Sequence, residues 1–169
     1  MKRKPSFLRG LLTGAAAGLA GSLTMAGFQE FVAKGSSLGN HDAPHAHAPQ
    51  PGQENTTETT ARKLMTQFGR SSPNSEKQVA GRALHYGFGL TMGAVYGVIS
   101  EYLPIVGLGA GTAFGTILFA ATDEAALPLL KLASQPADTP PLEHLLHWAS
   151  HVVYASTLEI TRKQLVRLT

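Results

Sequence analysis

Hydrophobic residues along this chain fall in long blocks, with polar residues collected between them. From Gly10 to Phe28 there is no charged side chain, and the run closes at Gln29 and Glu30. At ~1.5 Å per residue, a helix over Phe7–Val32 is long enough to cross the ~30 Å hydrocarbon core of a bilayer. A cleaved signal peptide is the competing reading, but its apolar stretch is normally only ~7–15 residues. A second block opens after a capping box at Ser75 and Gln78, loses its charges after Arg82 and runs to Ser100. Pro104 interrupts it, with Glu101 and Tyr102 at the boundary, and a third apolar run from Ile105 to Thr122 follows at once. The second and third runs therefore predict a tight antiparallel helical hairpin. Asp123 and Glu124 end that run, with a continuation or an embedded turn around Pro128. In the last block, Thr139 is placed to cap a helix with Pro140 in its first position, running from Leu142 to about Ile160.

Between the first two blocks the chain is polar. Residues 39–53 hold His41, His45 and His47 among Pro44, Pro49 and Pro51, a linker composition. Asn55 and Glu58 offer a capping box for a short amphipathic helix with Ala61, Leu64, Met65 and Phe68 on one face. Four segments follow from this pattern. They are a basic head with the first span (1–33), a polar His/Pro-rich loop (34–74), a two-span hairpin (75–130), and a loop, fourth span and basic tail (131–169). The fold class predicted is all-α, an integral membrane four-helix bundle. The fourth span is the least apolar, since it holds His144, His147, His151 and Glu159, and a soluble helical bundle is the alternative.

Composition sharpens this picture. Mean hydropathy is 0.00, which by itself suggests a soluble protein, yet most of the charged 15% sits in the two tails and in the stretch from Lys34 to Arg82. Eighteen glycines are unusual in a helical chain, because an interior glycine costs roughly 1 kcal/mol against alanine in a soluble helix. Their spacing supplies a reason. Gly10, Gly14 and Gly18 recur every four residues in the first block; Gly89, Gly93 and Gly97 do so in the second, and Gly107, Gly111 and Gly115 in the third. Each Gly-x-x-x-Gly series predicts a flat face for close helix packing, within one bundle or across a homo-oligomer.

The net charge of +3 and pI near 9.3 come from basic residues flanking hydrophobic segments, so a nucleic-acid partner is not expected and a lipid bilayer is. Seven of the 14 Lys and Arg residues lie in the tails and seven in the other segments. The tail charges cluster at the span ends, which places both termini in the cytoplasm. With no cysteine there is no disulfide, thiolate metal site or cysteine nucleophile. No phosphate loop, dinucleotide fingerprint or Ser-His-Asp arrangement occurs either, and the chain is not expected to be an enzyme.

The predicted topology brings ionisable groups to one membrane level: Glu30 (beside Gln29), His85, Asp123, Glu124, and Glu143 with His144, His147 and His151. On the last helix the three histidines are spaced i, i+3, i+7 and share a face. One reading makes these groups ordinary polar helix ends in the headgroup region. The other makes the cluster of Glu30, His85, Asp123, Glu124, His147 and His151 a proton-responsive or metal-binding site, because intramembrane ionisable groups generally serve a function.

The stretch "ALHYGFGLTMGAVYGVISEY" (83–102), the end "HVVYASTLEITRKQLVRLT", the glycine-rich first run ending in Glu30 and the "DEAALPLL" segment resemble the YagU-like inner-membrane proteins of bacteria. The resemblance implies a small multi-pass inner-membrane protein of unassigned activity, linked to envelope homeostasis or acid tolerance. It matches His85 and His151 and, more loosely, Glu30. His147 stands where an acidic residue is expected, and the His41–His47 loop has no counterpart. Two other classes remain open: a proton or metal-ion transporter or channel, and an accessory membrane subunit or b-type haem carrier with His85 and His151 as axial ligands. No cofactor is implied beyond such a metal ion.

Overall fold

The computed structural model of the chain describes residues 4–38, 62 and 74–168. Among these the structure is all-helical, with four principal helical segments. Helix α1 spans Phe7–Leu38 and α2 spans Asn74–Tyr102. A 3-10 segment over Pro104–Gly111 leads into α3, Thr112–Phe119, which passes through a π-helical stretch, Ala120–Ala126, and a final α turn, Leu127–Leu129. After a short 3-10 turn at Pro136–Asp138, α4 runs over Pro141–Leu168. The predicted short helix around Ala61–Phe68 and the loop histidines His41, His45 and His47 lie outside the described residues, apart from Arg62.

α1 and α2 pack antiparallel with their glycines facing. A Cβ on Gly14 would stand 2.8 Å from the Gly97 Cα, and one on Gly18 would stand 2.8 Å from the Gly93 Cα. Carbon atoms pack at about 3.5–4.0 Å, so only hydrogen fits in that seam. Gly10 completes it at one end, with the Gly97 carbonyl 2.7 Å from where its Cβ would be. α4 lies across this pair: Tyr154 packs on Gly21 and donates a hydrogen bond to the Gly89 carbonyl at 2.5 Å. The third segment leans chiefly on α4, where Gly107, Gly111 and Gly115 meet Glu159, Ala155 and His151 in turn. It touches α2 through Tyr96, whose ring lies 4.6 Å from that of Phe114.

The third apolar run is not one helix from Ile105 to Thr122. Leu108 is extended, and Gly109, Ala110 and Gly111 follow with φ of 66°, 53° and 84°. Pro104 cannot extend α2, and the glycines at 109 and 111 tolerate the left-handed turn that re-aims the chain. Regular helix begins only at Thr112. The spacing of four among Gly107, Gly111 and Gly115 thus describes a common face on α4's side but not a single helical stripe. Other boundaries shift as well. α1 continues beyond Val32, and α4 extends past Ile160 through the basic tail. Thr139 does not cap α4; its hydroxyl donates to the Gln135 carbonyl, and the Pro140 carbonyl receives the first N–H groups of the helix, from Glu143 and His144.

Two segments are long and apolar enough to cross a membrane, Phe7–Gly35 and Pro104–Leu129. α2 and α4 are comparably long but more polar, so four apolar spans are not all matched by composition. The distribution of side chains is the most informative feature. The buried apolar core is small, built on Ala17, Tyr96, Leu118, Tyr154, Ala155 and Leu158. Ser22, Ser100, Ser150, His151, Glu159 and Arg162 are buried with it. Many large hydrophobic residues face outward instead, among them Phe31 (74% exposed), Ile105 (70%), Ile117 (66%) and Leu129 (81%).

Candidate functional site

Polar side chains collect at two levels of the bundle. The first is built where the third segment meets the start of α4. The π-helical stretch widens the helix by one residue per turn, so that the Leu127 N–H reaches the Thr122 carbonyl. That stretch carries Asp123 and Glu124, and the spacing of His144, His147 and His151 brings all three histidines of α4 against it. His147 Nδ1 lies 3.3 Å from Asp123 Oδ2, and His151 Nε2 lies 3.7 Å from Asp123 Oδ1. Thr122 links the two, 2.9 Å from Asp123 Oδ1 and 3.5 Å from His151 Nε2. His151 Nδ1 donates to the His147 carbonyl at 3.0 Å, which fixes its ring within the helix.

Beside this trio stands a second pair. His144 Nδ1 is 2.6 Å from Glu124 Oε1, and its Nε2 is 3.0 Å from the Pro136 carbonyl. Both partners are acceptors, so both ring nitrogens donate, and only an imidazolium carries two N–H groups. His144 is therefore drawn in its charged form, tied at once to the third segment and to the turn that precedes α4.

The sequence-predicted cluster is thus assembled in part. Asp123, Glu124, His147 and His151 come together, with His144 added. His85 lies close by, within electrostatic reach of His151, but its Nε2 points at the Ser22 carbonyl of α1, 3.4 Å away. Glu30 is not a member. It sits on the exposed part of α1 beyond the bundle and pairs with Lys34 one turn on, at 2.6 Å. Among the described residues, no three His, Asp or Glu side chains converge closely enough to hold a metal ion. The His151 ring has Nδ1 spent on the His147 carbonyl and Nε2 facing Thr122 and Asp123.

The second polar level lies at the other end of the bundle, and sequence reasoning missed it. Glu101, at the end of α2, receives Arg9 in a two-pronged contact, Nε at 3.0 Å and Nη2 at 2.5 Å, together with the Ser6 N–H at 3.1 Å. On α4, Glu159 is fully buried and accepts Arg162 Nε at 2.8 Å, Arg162 Nη2 at 3.0 Å and Lys163 Nζ at 3.0 Å. The Arg162 guanidinium stands 5.9 Å from the centre of the Tyr96 ring. The i, i+3 and i, i+4 spacing of Glu159 with Arg162 and Lys163 was a visible signal, obscured because the two basic residues read as part of a solvated tail.

Compared with known families, residues 43–160 match the family model described as "Protein of unknown function (DUF1440)". The chain belongs to this family. The matched stretch takes in α2, the third segment and most of α4, including Asp123, Glu124 and the three α4 histidines, and it leaves α1 outside. The family description supplies no activity. No curated protein and no solved structure matches the chain.

Proposed function

We propose that this member of the DUF1440 family is a four-span integral protein of the bacterial inner membrane, with both termini in the cytoplasm and no enzymatic step. Its Asp123–His147–His151 and Glu124–His144 cluster faces the outside and responds to protons. The observation that carries the membrane reading is the inverted distribution of side chains. Phe, Leu and Ile cover the outside, while serines, a glutamate and an arginine are sealed inside. In water such a surface is far more apolar than its interior requires; in lipid it is the favourable arrangement. Charge spacing agrees with it. Arg9 to Glu30, Arg82 to Glu101 and Glu143 to Arg162 each cover about 29–32 Å of helix, close to the thickness of a hydrocarbon core. The break at Leu108–Ala110 falls level with Glu159, at the edge of that slab, where exposed backbone meets headgroups and water rather than lipid tails.

The doubly donating His144 supports the proton-responsive part. Histidine is the side chain whose ordinary titration falls between pH 5 and 8. Loss of one proton here removes a bond to Glu124 or to Pro136 and loosens the start of α4. A role under acid stress, as the YagU-like resemblance implies, fits a cluster of this kind. Transport of protons across the bundle has less support. Between His151 and Glu159 the interior is filled by Ala17, Ala155 and Leu158, and the Tyr154 hydroxyl is already spent on the Gly89 carbonyl. A homo-oligomer would need a surface other than the glycine faces, which are used within the chain.

Because the chain has no cysteine, single cysteines introduced near residues 2, 50 and 135 report topology directly. The expected result is labelling by an impermeant thiol reagent from outside at positions 50 and 135 only. A protein that stays soluble and monodisperse without detergent overturns the proposal. In proteoliposomes, a pH jump should alter Trp148 fluorescence without net proton flux.

A further inference from the structure

Two bonds hold Arg162 to Glu159, and both leave from one edge of its guanidinium. Nε and Nη2 donate to the carboxylate at 2.8 and 3.0 Å, and the group stands 5.9 Å from the centre of the Tyr96 ring. A guanidinium has five N–H donors. Two are used here, so three, on Nη1 and Nη2, are left unspent among the described residues. The residue is only 8% exposed. Nη1 nevertheless opens to the surface, because the one sealed side-chain polar atom without a hydrogen bond among the described residues is Ser100 Oγ. A charged fork that is fixed along one edge and bare along the other is shaped to receive two oxygens of a single anion.

Charge points the same way. Glu159 carries one negative charge and meets two positive groups, Arg162 and Lys163, whose Nζ lies 3.0 Å from Oε1. One positive charge is left over, and a buried charge without a counter-charge is costly. The Lys163 side chain is 50% exposed, so its ammonium lies open beside the buried guanidinium. Arg167 follows one turn later on the same helical face, also exposed. The walls of this place are apolar. The Glu159 carboxylate packs on Gly107, and its chain neighbours Ile105 and Leu108 face outward at 70% and 66% exposure. Ile160, next to Glu159 on α4, is 55% exposed. An inorganic ion gains nothing from such walls, whereas the acyl chains of a lipid do.

We propose that Arg162 and Lys163 form a binding site for the phosphodiester of an anionic phospholipid in the cytoplasmic leaflet. The bare edge of Arg162 donates to the two non-bridging oxygens, Lys163 supplies the second cation, and the acyl chains lie along Ile105, Leu108 and Ile160. A phosphodiester is a monoanion and balances the surplus charge of the Glu159–Arg162–Lys163 group. A zwitterionic phospholipid brings its own cation, so the site selects lipids of net negative charge. The ligand's being a lipid rests on the membrane reading above, and the two fail separately. A chain that needs no detergent removes the membrane reading; a detergent-bound chain indifferent to lipid charge removes this site alone.

The full chain, held in an uncharged detergent, is titrated with short-chain phosphatidylglycerol, with phosphatidylcholine of the same chain length and with inorganic phosphate, and the thermal midpoint is read. Phosphatidylglycerol should raise the midpoint saturably, by roughly 5 °C, and the other two should not. No response to phosphatidylglycerol, or an equal response to phosphatidylcholine, overturns the proposal. Inorganic phosphate matching phosphatidylglycerol would make this a free-anion site and overturns the lipid assignment. Lys163→Gln leaves the Arg162–Glu159 pair in place and should raise the half-saturating concentration of phosphatidylglycerol about tenfold. Lys34→Gln, at the opposite end of the bundle, should leave it unchanged. Weakening by both variants equally, or by neither, defeats the inference.

Discussion

The two polar levels of this bundle use similar side chains under opposite conditions. At the end near the N- and C-termini, Glu101 and Glu159 are met by arginine, which stays charged at every physiological pH, through paired and enclosed contacts. At the other end, Asp123 and Glu124 are met by histidine, with side chains between 9% and 51% exposed. The first level is a fixed clamp at one end of the glycine seam. The second, in the function proposed above, gains its charge attraction only when its histidines carry a proton. A carboxylate's choice of basic partner thus decides whether a helix junction is permanent or conditional.

The contrast is tested most severely at the seam that both levels flank. Gly93→Leu drives a side chain into the Gly18 backbone, 2.5 Å from the position of the first carbon, and should abolish accumulation of folded protein in the membrane fraction; wild-type yield and thermal stability would remove the close packing. Next in size is Glu159→Gln, which leaves Arg162 buried without its counter-charge. Breaking one half of a buried pair typically costs about 3–5 kcal/mol, so the midpoint in detergent should fall sharply and to the same extent at pH 5.5 and pH 8.

Asp123→Asn should behave differently. An imidazolium facing Asp123 gains an attraction that a neutral ring lacks, so the wild type should be more stable near pH 5.5 than near pH 8. The sign reverses only when Asp123 itself takes up a proton in stronger acid. The asparagine variant should flatten this slope, as should His144→Gln, with little change in stability at pH 8. The groups that face this junction include His147, His151, His144, Glu124, Glu143 and, from α2, His85; an unchanged slope in both variants would make the two levels equivalent. The smallest effect is predicted for Glu30→Gln, since that carboxylate is exposed and, among the described residues, pairs with Lys34 on the same exposed face. A midpoint indistinguishable from wild type is expected.

Much of this arrangement was legible in the sequence. Glycines spaced by four in the first two blocks predicted flat faces for close packing, and the antiparallel pair brings 10 against 97, 14 against 93 and 18 against 89. The predicted topology put the histidines of α4 at the same level as Asp123 and Glu124, without giving their contacts. Other features were hidden for physical reasons. In the third run, glycine spacing suggested a helical stripe, but Gly109 and Gly111 serve a left-handed turn, and periodicity cannot tell a packing glycine from a turning one. Glu30 was drawn into the cluster because the first helix was ended too early. Arg162 and Lys163 were counted as tail charges, although α4 continues through them and folds them back onto Glu159.

The facing glycines of α1 and α2 carry a consequence for how this protein can vary. In most cores a bulkier residue on one helix can be accommodated by a smaller one opposite. Here both sides already bear the smallest side chain that exists, so no reciprocal exchange can restore the fit. The seam has no neutral neighbours in sequence space, and the pair of helices is kept or lost together.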